Sequence, residues 1–262
     1  MTAWALEHHD GVAVLTFRRE PANWMDLVSM GELADHLTDL AEQTDDVRVV
    51  MLTGGLDGYF IAHADLDDLA ALANGEPIEG DLFSWARALH LLETMPQPTV
   101  AALDGQAWGG GCETSLACTM RIGSTRAHLG QPEVVVGIIP GAGGTQRLPR
   151  LVGGGRGAEL CLSGRIVPAD EAHRIGLLNA VLPVEGFRDA AIAWCQQISR
   201  HPGPAVFAAK RAVVEGLRGS LDDGLRLEGQ LFVALNASDD AKARNAAVSR
   251  TASDLGGVEG GA

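Results

Sequence analysis

The chain has 262 residues, 46% of them hydrophobic and 21% charged, the proportions of a folded protein rather than a disordered one. Its 20 basic residues against 34 acidic ones leave a formal charge of −14. That balance excludes nucleic acid and an anionic membrane surface as natural partners, because both need a basic face. The length suits one large α/β unit, or a core with a small appendage.

No apolar run reaches the roughly 18 residues a membrane helix needs. The first ten residues carry neither a basic region nor a continuous apolar stretch, so no signal peptide is expected and the predicted location is cytoplasmic. Cys112, Cys118, Cys161 and Cys195 form no CxxC or zinc spacing and all lie in apolar segments. They are expected to be buried free thiols of a reducing compartment, and no metal site is expected. The basic residues are nearly all arginine, with lysine only at Lys210 and Lys242.

In chain order, alternating residues flank Asp10-Gly11 and predict a hairpin. Leu27, Met30, Leu33, Leu37 and Leu40 have the spacing of an amphipathic helix over 26–40. Val47 to Leu52 reads as a short buried strand ending at Thr53-Gly54-Gly55. Leu82 to Met95 reads as a second helix, stopped by Pro96 and Pro98. Thr99 to Leu103 is another short strand, followed by Asp104-Gly105 and a glycine triplet. Strands alternating with helices through glycine turns indicate an α/β fold.

Beyond Pro202 the pattern is helical only, over Val206 to Leu217 and Leu221 to Ala237, with a glycine-rich end expected to fray. The sequence therefore divides into an α/β core, 1–200, and a helical region, 201–262, with a flexible tail. The second of these helices carries a largely apolar stripe (Leu221, Leu225, Glu228, Phe232, Leu235) that must pack on something. No 20–50-residue repeat is evident.

The 33 glycines invite phosphate-loop readings, and Gly153 to Ala158 fits a GxGxxA dinucleotide fingerprint. That motif needs a strand immediately before it, whereas Arg147 to Val152 is a poor strand with Pro149 inside. A loop followed by a helix start is the better reading. There is no Walker lysine, no G-x-S-x-G and no HExxH.

Three segments carry chemistry. In Asp104 to Ala117 a buried strand turns through Gly109-Gly110-Gly111 into a helix, baring backbone N–H groups that favour anionic oxygen, with Glu113 in the first turn. The bland reading of Glu113 is a carboxylate complementing the helix dipole. In Gly130 to Gln146, Glu133 follows Pro132 with no basic neighbour in sequence, so burial would raise its pKa toward that of a useful acid. Its bland reading is a surface loop glutamate. In Gly58 to Leu69, small Ala62 and Ala64 let a ligand approach the backbone, while His63 is either inconsequential or a steric element.

In this order the three segments resemble the crotonase (enoyl-CoA hydratase/isomerase) superfamily. The pattern F-x-A-G-x-D-[IL] matches Phe60 to Leu66 except at His63, and N-G-x-A-x-G-G-G-x-E matches Asp104 to Glu113 with Asp for Asn at 104. The long pattern G-Q-P-E-x-x-x-G-I-x-P-G-x-G-G-T-Q-R-L-P matches Gly130 to Pro149 throughout. Leu162 to Arg165, Ala169 to Glu171 and Gly176 to Val181 match the next family segment, and the likeness covers roughly residues 10–240.

The resemblance implies a spiral core of stacked ββα units with a C-terminal helical trimerisation region, trimers pairing into hexamers. It implies acyl-CoA thioester substrates, with coenzyme A part of the substrate and no separate cofactor. The oxyanion-hole N–H groups carry over onto Ala64 and Gly110, and the catalytic carboxylates onto Glu113, the water-activating base, and Glu133, the acid. Substrate contacts are expected from Ala62, His63, Asp65, Leu66, Gly109, Pro132 and Gly141. Family isomerases commonly work with only the glutamate at the Glu133 position, so both glutamates favour hydration of 2-enoyl-CoA to 3-hydroxyacyl-CoA. An isomerase, hydrolase or dehalogenase of this type, and a non-catalytic acyl-CoA-binding scaffold, are the alternatives. His63 replaces the usual glycine, and Asp67 stands where many relatives have lysine. The usual ending with Phe and Lys/Arg is absent, since 245–262 holds only Arg250 as a basic residue.

Overall fold

The structure, a computed structural model, describes residues 2–247. The chain opens with β1 (Trp4–His9) and β2 (Val12–Phe17), an antiparallel hairpin in which Trp4 faces Phe17. Asp10 and Gly11 turn at φ 44° and 83°, the left-handed pair that suits a two-residue hairpin loop.

After the hairpin the chain winds in turns, each giving one strand to a large sheet, one to a smaller layer, and then helix. The first turn is β2, β3 (Trp24–Met25) and α1 (Leu27–Glu42); the second is β4 (Val49–Gly54), β5 (His63–Ala64), α2 (Leu66–Asn74) and α3 (Ser84–Thr94). The third is β6 (Thr99–Leu103), β7 (Gln106–Trp108) and α4 (Gly110–Ala117). The fourth is β8 (Met120–Ser124), β9 (His128–Gly130) and a 3₁₀ turn, Pro132–Val136. Then come α5 (Gly144–Val152), α6 (Gly154–Ser163), β10 (Ile166–Pro168), α7 (Ala169–Arg174), β11 (Ala180–Leu182) and α8 (Phe187–Ser199).

The large sheet runs β1-β2-β4-β6-β8-β11, parallel from β2 onward. The small layer consists of β10-β9-β7 and β3-β5. This is the stacked ββα spiral of a crotonase-like fold.

Strands β2, β4 and β6 are covered on both faces, which is why they read as unbroken apolar runs. Ala13, Leu15, Val50, Leu52, Ala101 and Leu103 face one core with Met30, Leu33 and Leu37 of α1. Val12, Val14, Val49, Met51, Val100 and Ala102 face the other with Phe187, Ile192 and Cys195 of α8. Helix α1 starts where expected because Asp26 caps it, its side chain accepting from Ser29 N at 2.7 Å.

Two expectations need correction. Arg147 to Val152 is not a loop: α5 runs through Pro149, and Gly157 lets α6 lie against that proline, since a β-carbon there would meet Pro149 Cα at 2.5 Å. Cys112, Cys118 and Cys195 are buried, but Cys161 on α6 is only partly so.

The described helices continue with α9 (Gly203–Gly216), α10 (Leu221–Asn236) and α11 (Asp239–Ala247). The chain forms two compact units that divide between Lys210 and Arg211, inside α9. In the second unit α10 begins with a capping box, Ser220 and Asp223, and leaves Leu221, Leu225, Phe232 and Val233 exposed. The expected tail lies outside the described residues.

Candidate active site

Three consecutive turns of the spiral meet at one point. Gly111 makes the meeting possible: a β-carbon there would stand 1.9 Å from Ile61 O, so only glycine lets α4 approach the segment leading into β5. Gly110, one residue earlier, lies against Ala64 and the Trp85 ring; its added β-carbon would meet them at 3.2 and 2.7 Å.

The two residues whose backbone N–H groups are expected to bind oxygen thus lie next to each other. Gly110 is the first residue of α4, whose N–H has no acceptor within the helix. Ala64 lies opposite Met25 in the parallel β3-β5 pair, and Asp65 N donates to Met25 O at 2.8 Å. In such a ladder the bonded groups alternate, so the Ala64 N–H points away from β3.

Glu113, in the first turn of α4, is only 3% exposed. Its Oε1 accepts from Ala142 N at 2.7 Å and Gly144 N at 2.8 Å, which leaves Oε2 to accept elsewhere. Burial raises its pKa above the usual 4.5, against those two bonds and the charge of Arg147. Arg147 also shapes the loop, donating to Ala142 O at 2.7 Å while paired with Glu93 at 2.6 Å.

Glu133 sits in the 3₁₀ turn, half-buried over Gly109, where an added β-carbon would meet Oε1 at 3.0 Å. Gly109 adopts φ 49°, ψ −121°, open to glycine and strained for other residues. Burial pushes the Glu133 carboxyl up to about 7, with the Glu113 charge adding to the rise against a bond from its own backbone N–H. The surface-glutamate reading is therefore set aside. Gln131, fully buried, places its amide nitrogen 3.0 Å from Glu133 Oε1 and 3.2 Å from Oε2 in the orientation that satisfies both its ends.

The expected substrate contacts divide. Gly109 lies under the Glu133 carboxyl group, and Gly141 is exposed, an added β-carbon there meeting only Ile139 O at 4.0 Å. Pro132 is half-buried beside Glu133, and Leu66 is 58% exposed on α2. Ala62 is fully buried, its N–H donating to Asn23 O and its C=O accepting from Trp108 N. Asp65 also turns inward, capping α2 through Asp67 N and pairing with Arg19 at 2.7 Å. His63 is half-buried, donates Nδ1–H to Ala64 O at 2.7 Å, and stacks on Trp24 at 5.8 Å between centroids. Asp104, in the place of the family's asparagine, is held by Arg126 through both carboxylate oxygens at 2.9 and 2.6 Å.

A mostly apolar cavity of about 130 Å³ adjoins Ala64, lined by Met25, Leu27, Leu69, Leu72 and Trp85 among others, with Asp65 and Asp68 also on its wall. Sequence reasoning missed Trp85, Gln131 and Arg147 as site residues. Gln131 and Arg147 lie inside the matched motif, but Trp85 carries only a helical apolar pattern. Among the described residues no cluster of His, Cys, Asp or Glu could hold a metal ion.

A buried Glu113 and a half-buried Glu133 at the start of α4, on this spiral, can be compared with known proteins. The family model for enoyl-CoA hydratase/isomerase matches residues 7–251. The chain belongs to the enoyl-CoA hydratase/isomerase family. It is 36% identical over 240 residues to the short-chain-enoyl-CoA hydratase of Clostridium acetobutylicum, covering 90% of each chain. It is 36% identical over 238 residues to the crotonyl-CoA hydratase of Syntrophomonas wolfei, covering 90% of this chain and 91% of that one. Among solved structures of the family, the enoyl-CoA hydratase of Bacillus anthracis superposes with a TM-score of 0.86 at 35% identity, covering 94% and 95% of the two chains.

Proposed function

We propose that this chain hydrates 2-enoyl-CoA thioesters to 3-hydroxyacyl-CoA. The observation that carries this reading is the pairing of Glu113 and Glu133, two carboxyl groups with raised pKa values, beside the N–H groups of Ala64 and Gly110. The hydratase names of the relatives support it.

Adding water across a double bond conjugated to a thioester builds negative charge on the thioester oxygen. Ala64 N–H and Gly110 N–H receive that oxygen, each fixed donor supplying about 3–4 kcal/mol of transition-state stabilisation. Glu113, fixed through Oε1, accepts a proton from water through Oε2 as the water oxygen bonds to C3. Glu133, poised near neutrality, gives its proton to C2 as the double-bond electrons move there. The two carboxyl groups end with exchanged protonation states, and proton exchange with solvent resets them.

The apolar cavity beside Ala64 takes the acyl chain. An apolar cavity of about 150 Å³ accepts a benzene, so about 130 Å³ suits a short tail. This accords with the short-chain and crotonyl names of the relatives. Coenzyme A is part of the substrate, and the chemistry needs no other cofactor. The exposed apolar residues of α10 fit a homotrimer or a dimer of trimers. Among the described residues no helix is long and apolar enough to cross a membrane, which fits a cytoplasmic enzyme.

The test is turnover of crotonyl-CoA, followed by loss of the conjugated-thioester absorbance and identification of the product. Hydration with the parent chain, and loss of about 10²–10⁴-fold in kcat for Glu113→Gln and Glu133→Gln with saturated acyl-CoA still bound, are expected. A 3-enoyl product in place of the 3-hydroxyacyl thioester establishes the isomerase; binding without turnover establishes a scaffold.

A further inference from the structure

Asn23 lies in none of the matched motifs, yet it is fully buried and every polar atom it has is engaged. Its side-chain nitrogen donates to Phe17 O at 3.1 Å and to Phe60 O at 2.8 Å. Its side-chain oxygen accepts from Arg19 N at 2.9 Å, while its backbone N–H donates to Arg19 O at 2.8 Å and its backbone C=O accepts from Ala62 N at 3.0 Å. Its φ of 54° is left-handed, a conformation asparagine and glycine tolerate best.

These bonds grip the segment that delivers Ala64. Asn23 holds Phe60 and Ala62 from one side; from the other, Gln106 O accepts from Phe60 N and Trp108 N donates to Ala62 O. The latter residues lead directly into Gly109 and Gly110. The side chain of Asn23 therefore ties the start of the 60–64 segment through Phe60 O, and its backbone C=O ties Ala62, two residues before Ala64.

We propose that Asn23 is a positioning residue for the oxyanion hole, fixing the Ala64 N–H against the Gly110 N–H through its bonds to Phe60 and Ala62. The inference rests on the hydratase reading above. Donors displaced by a fraction of an ångström still leave room for the thioester to bind but stabilise the developing oxyanion poorly, so the loss falls on kcat. A displacement of about 1 Å costs on the order of 10²-fold.

The experiment uses the full chain. Asn23→Gly keeps the left-handed backbone and removes the side-chain donors; Asn23→Asp keeps the shape and the acceptor with at most one donor. Each is assayed with crotonyl-CoA, and a cinnamoyl-CoA chromophore reports carbonyl polarisation through the red shift of its bound absorbance. Expected are a kcat lower by about 10–100-fold per folded molecule in Asn23→Gly, a KM changed much less, and a diminished red shift, with Asn23→Asp intermediate. Variants that melt earlier but keep parental kcat and red shift would make Asn23 purely structural and overturn the proposal. Where Asn23→Gly does not fold, Asn23→Asp decides by the same two readouts. An inactive parent chain is a failure of the hydratase reading, and the red shift still tests Asn23 in that case.

Discussion

The carboxylate of Glu133 rests on Gly109, so close that a β-carbon on that glycine would meet Oε1 at 3.0 Å. The residue that opens the turn into α4 thus also lies directly under the Glu133 carboxyl group. Glu113 enters from the same helix, and its charge helps keep the Glu133 proton on. A pair of this kind titrates jointly, and the two limbs of a pH profile belong to the pair.

The expected profile of kcat/KM is a bell. On the proposed roles, hydration needs Glu113 ionised and Glu133 protonated. Burial raises Glu113 above 4.5, so the acidic limb lies above that value. Glu133 is pushed up to about 7, so the alkaline limb falls near neutrality. Rates measured from about pH 5 to 9 check both limbs. The residual activity of Glu133→Gln should lose the alkaline limb; a limb that survives assigns it to another group.

The same raised pKa has a consequence for stability. An unfolded glutamate titrates near its usual 4.5, whereas Glu133 in the folded chain holds its proton up to about 7. The folded state therefore binds the extra proton, and stability is full below about pH 4.5 and is lost as pH rises through 7. Glu133→Gln removes that loss. Its melting temperature should exceed the parent's at pH 8, with the gap closing toward pH 4.5. A gap that widens as the pH falls would contradict the burial of this group.

Much of this was legible in the sequence, for physical reasons that differ by element. Thr99–Leu103 was readable to the residue because β6 is buried on both faces and bounded by Pro98 and Asp104-Gly105. The glycine triplet announced a bared helix start because Gly109 and Gly111 meet demands no other residue satisfies. The two-residue strands β3 and β5 were not legible, since neither exists without its partner. Helix α5 was obscured by Pro149, whose tolerance depends on Gly157 one helix later. The raised pKa of Glu133 was anticipated from its apolar neighbours, but the share due to Glu113 needed the fold. Asn23 carried no pattern at all; its partners lie up to 39 residues away along the chain, from Asn23 to Ala62.

Lys210 is 6% exposed and closes α3 from α9. Its Nζ donates to Met95 O at 2.7 Å and Gln97 O at 2.8 Å, at and just past the end of α3, and to Leu92 O at 3.4 Å, which also accepts from Thr99 Oγ1 at 2.9 Å. Lys210→Met keeps the length and removes the donors to Met95 O and Gln97 O, while Leu92 O keeps its bond from Thr99. The expected destabilisation is about 2–4 kcal/mol, since each orphaned group costs about 1–3 kcal/mol and some relaxation follows. Denaturant titration measures it. Because α3 carries Trp85, the variant should also lose discrimination among acyl chain lengths before it loses crotonyl-CoA turnover.

His63 is the departure from the family pattern nearest the chemistry. Its ring is not idle: Nδ1–H is committed to Ala64 O, and the ring lies on Trp24, which is 37% exposed. Ala64 thus has its C=O tied to His63, on the same residue whose N–H is proposed to receive the substrate oxygen. Glycine at 63 would free that carbonyl and remove half of the stacked pair at the rim. Imidazole and indole together narrow the approach to Ala64, so His63→Gly should widen the range of acyl-CoA substrates and change KM by about 3–10-fold, the scale of one neutral hydrogen bond with its packing. Turnover at saturation should change less, because the Ala64 N–H keeps its place through Phe60 and Ala62. Steady-state kinetics on a panel of enoyl-CoA chain lengths separate the two effects. A KM and substrate range equal to the parent's would mean that the ring only decorates the rim.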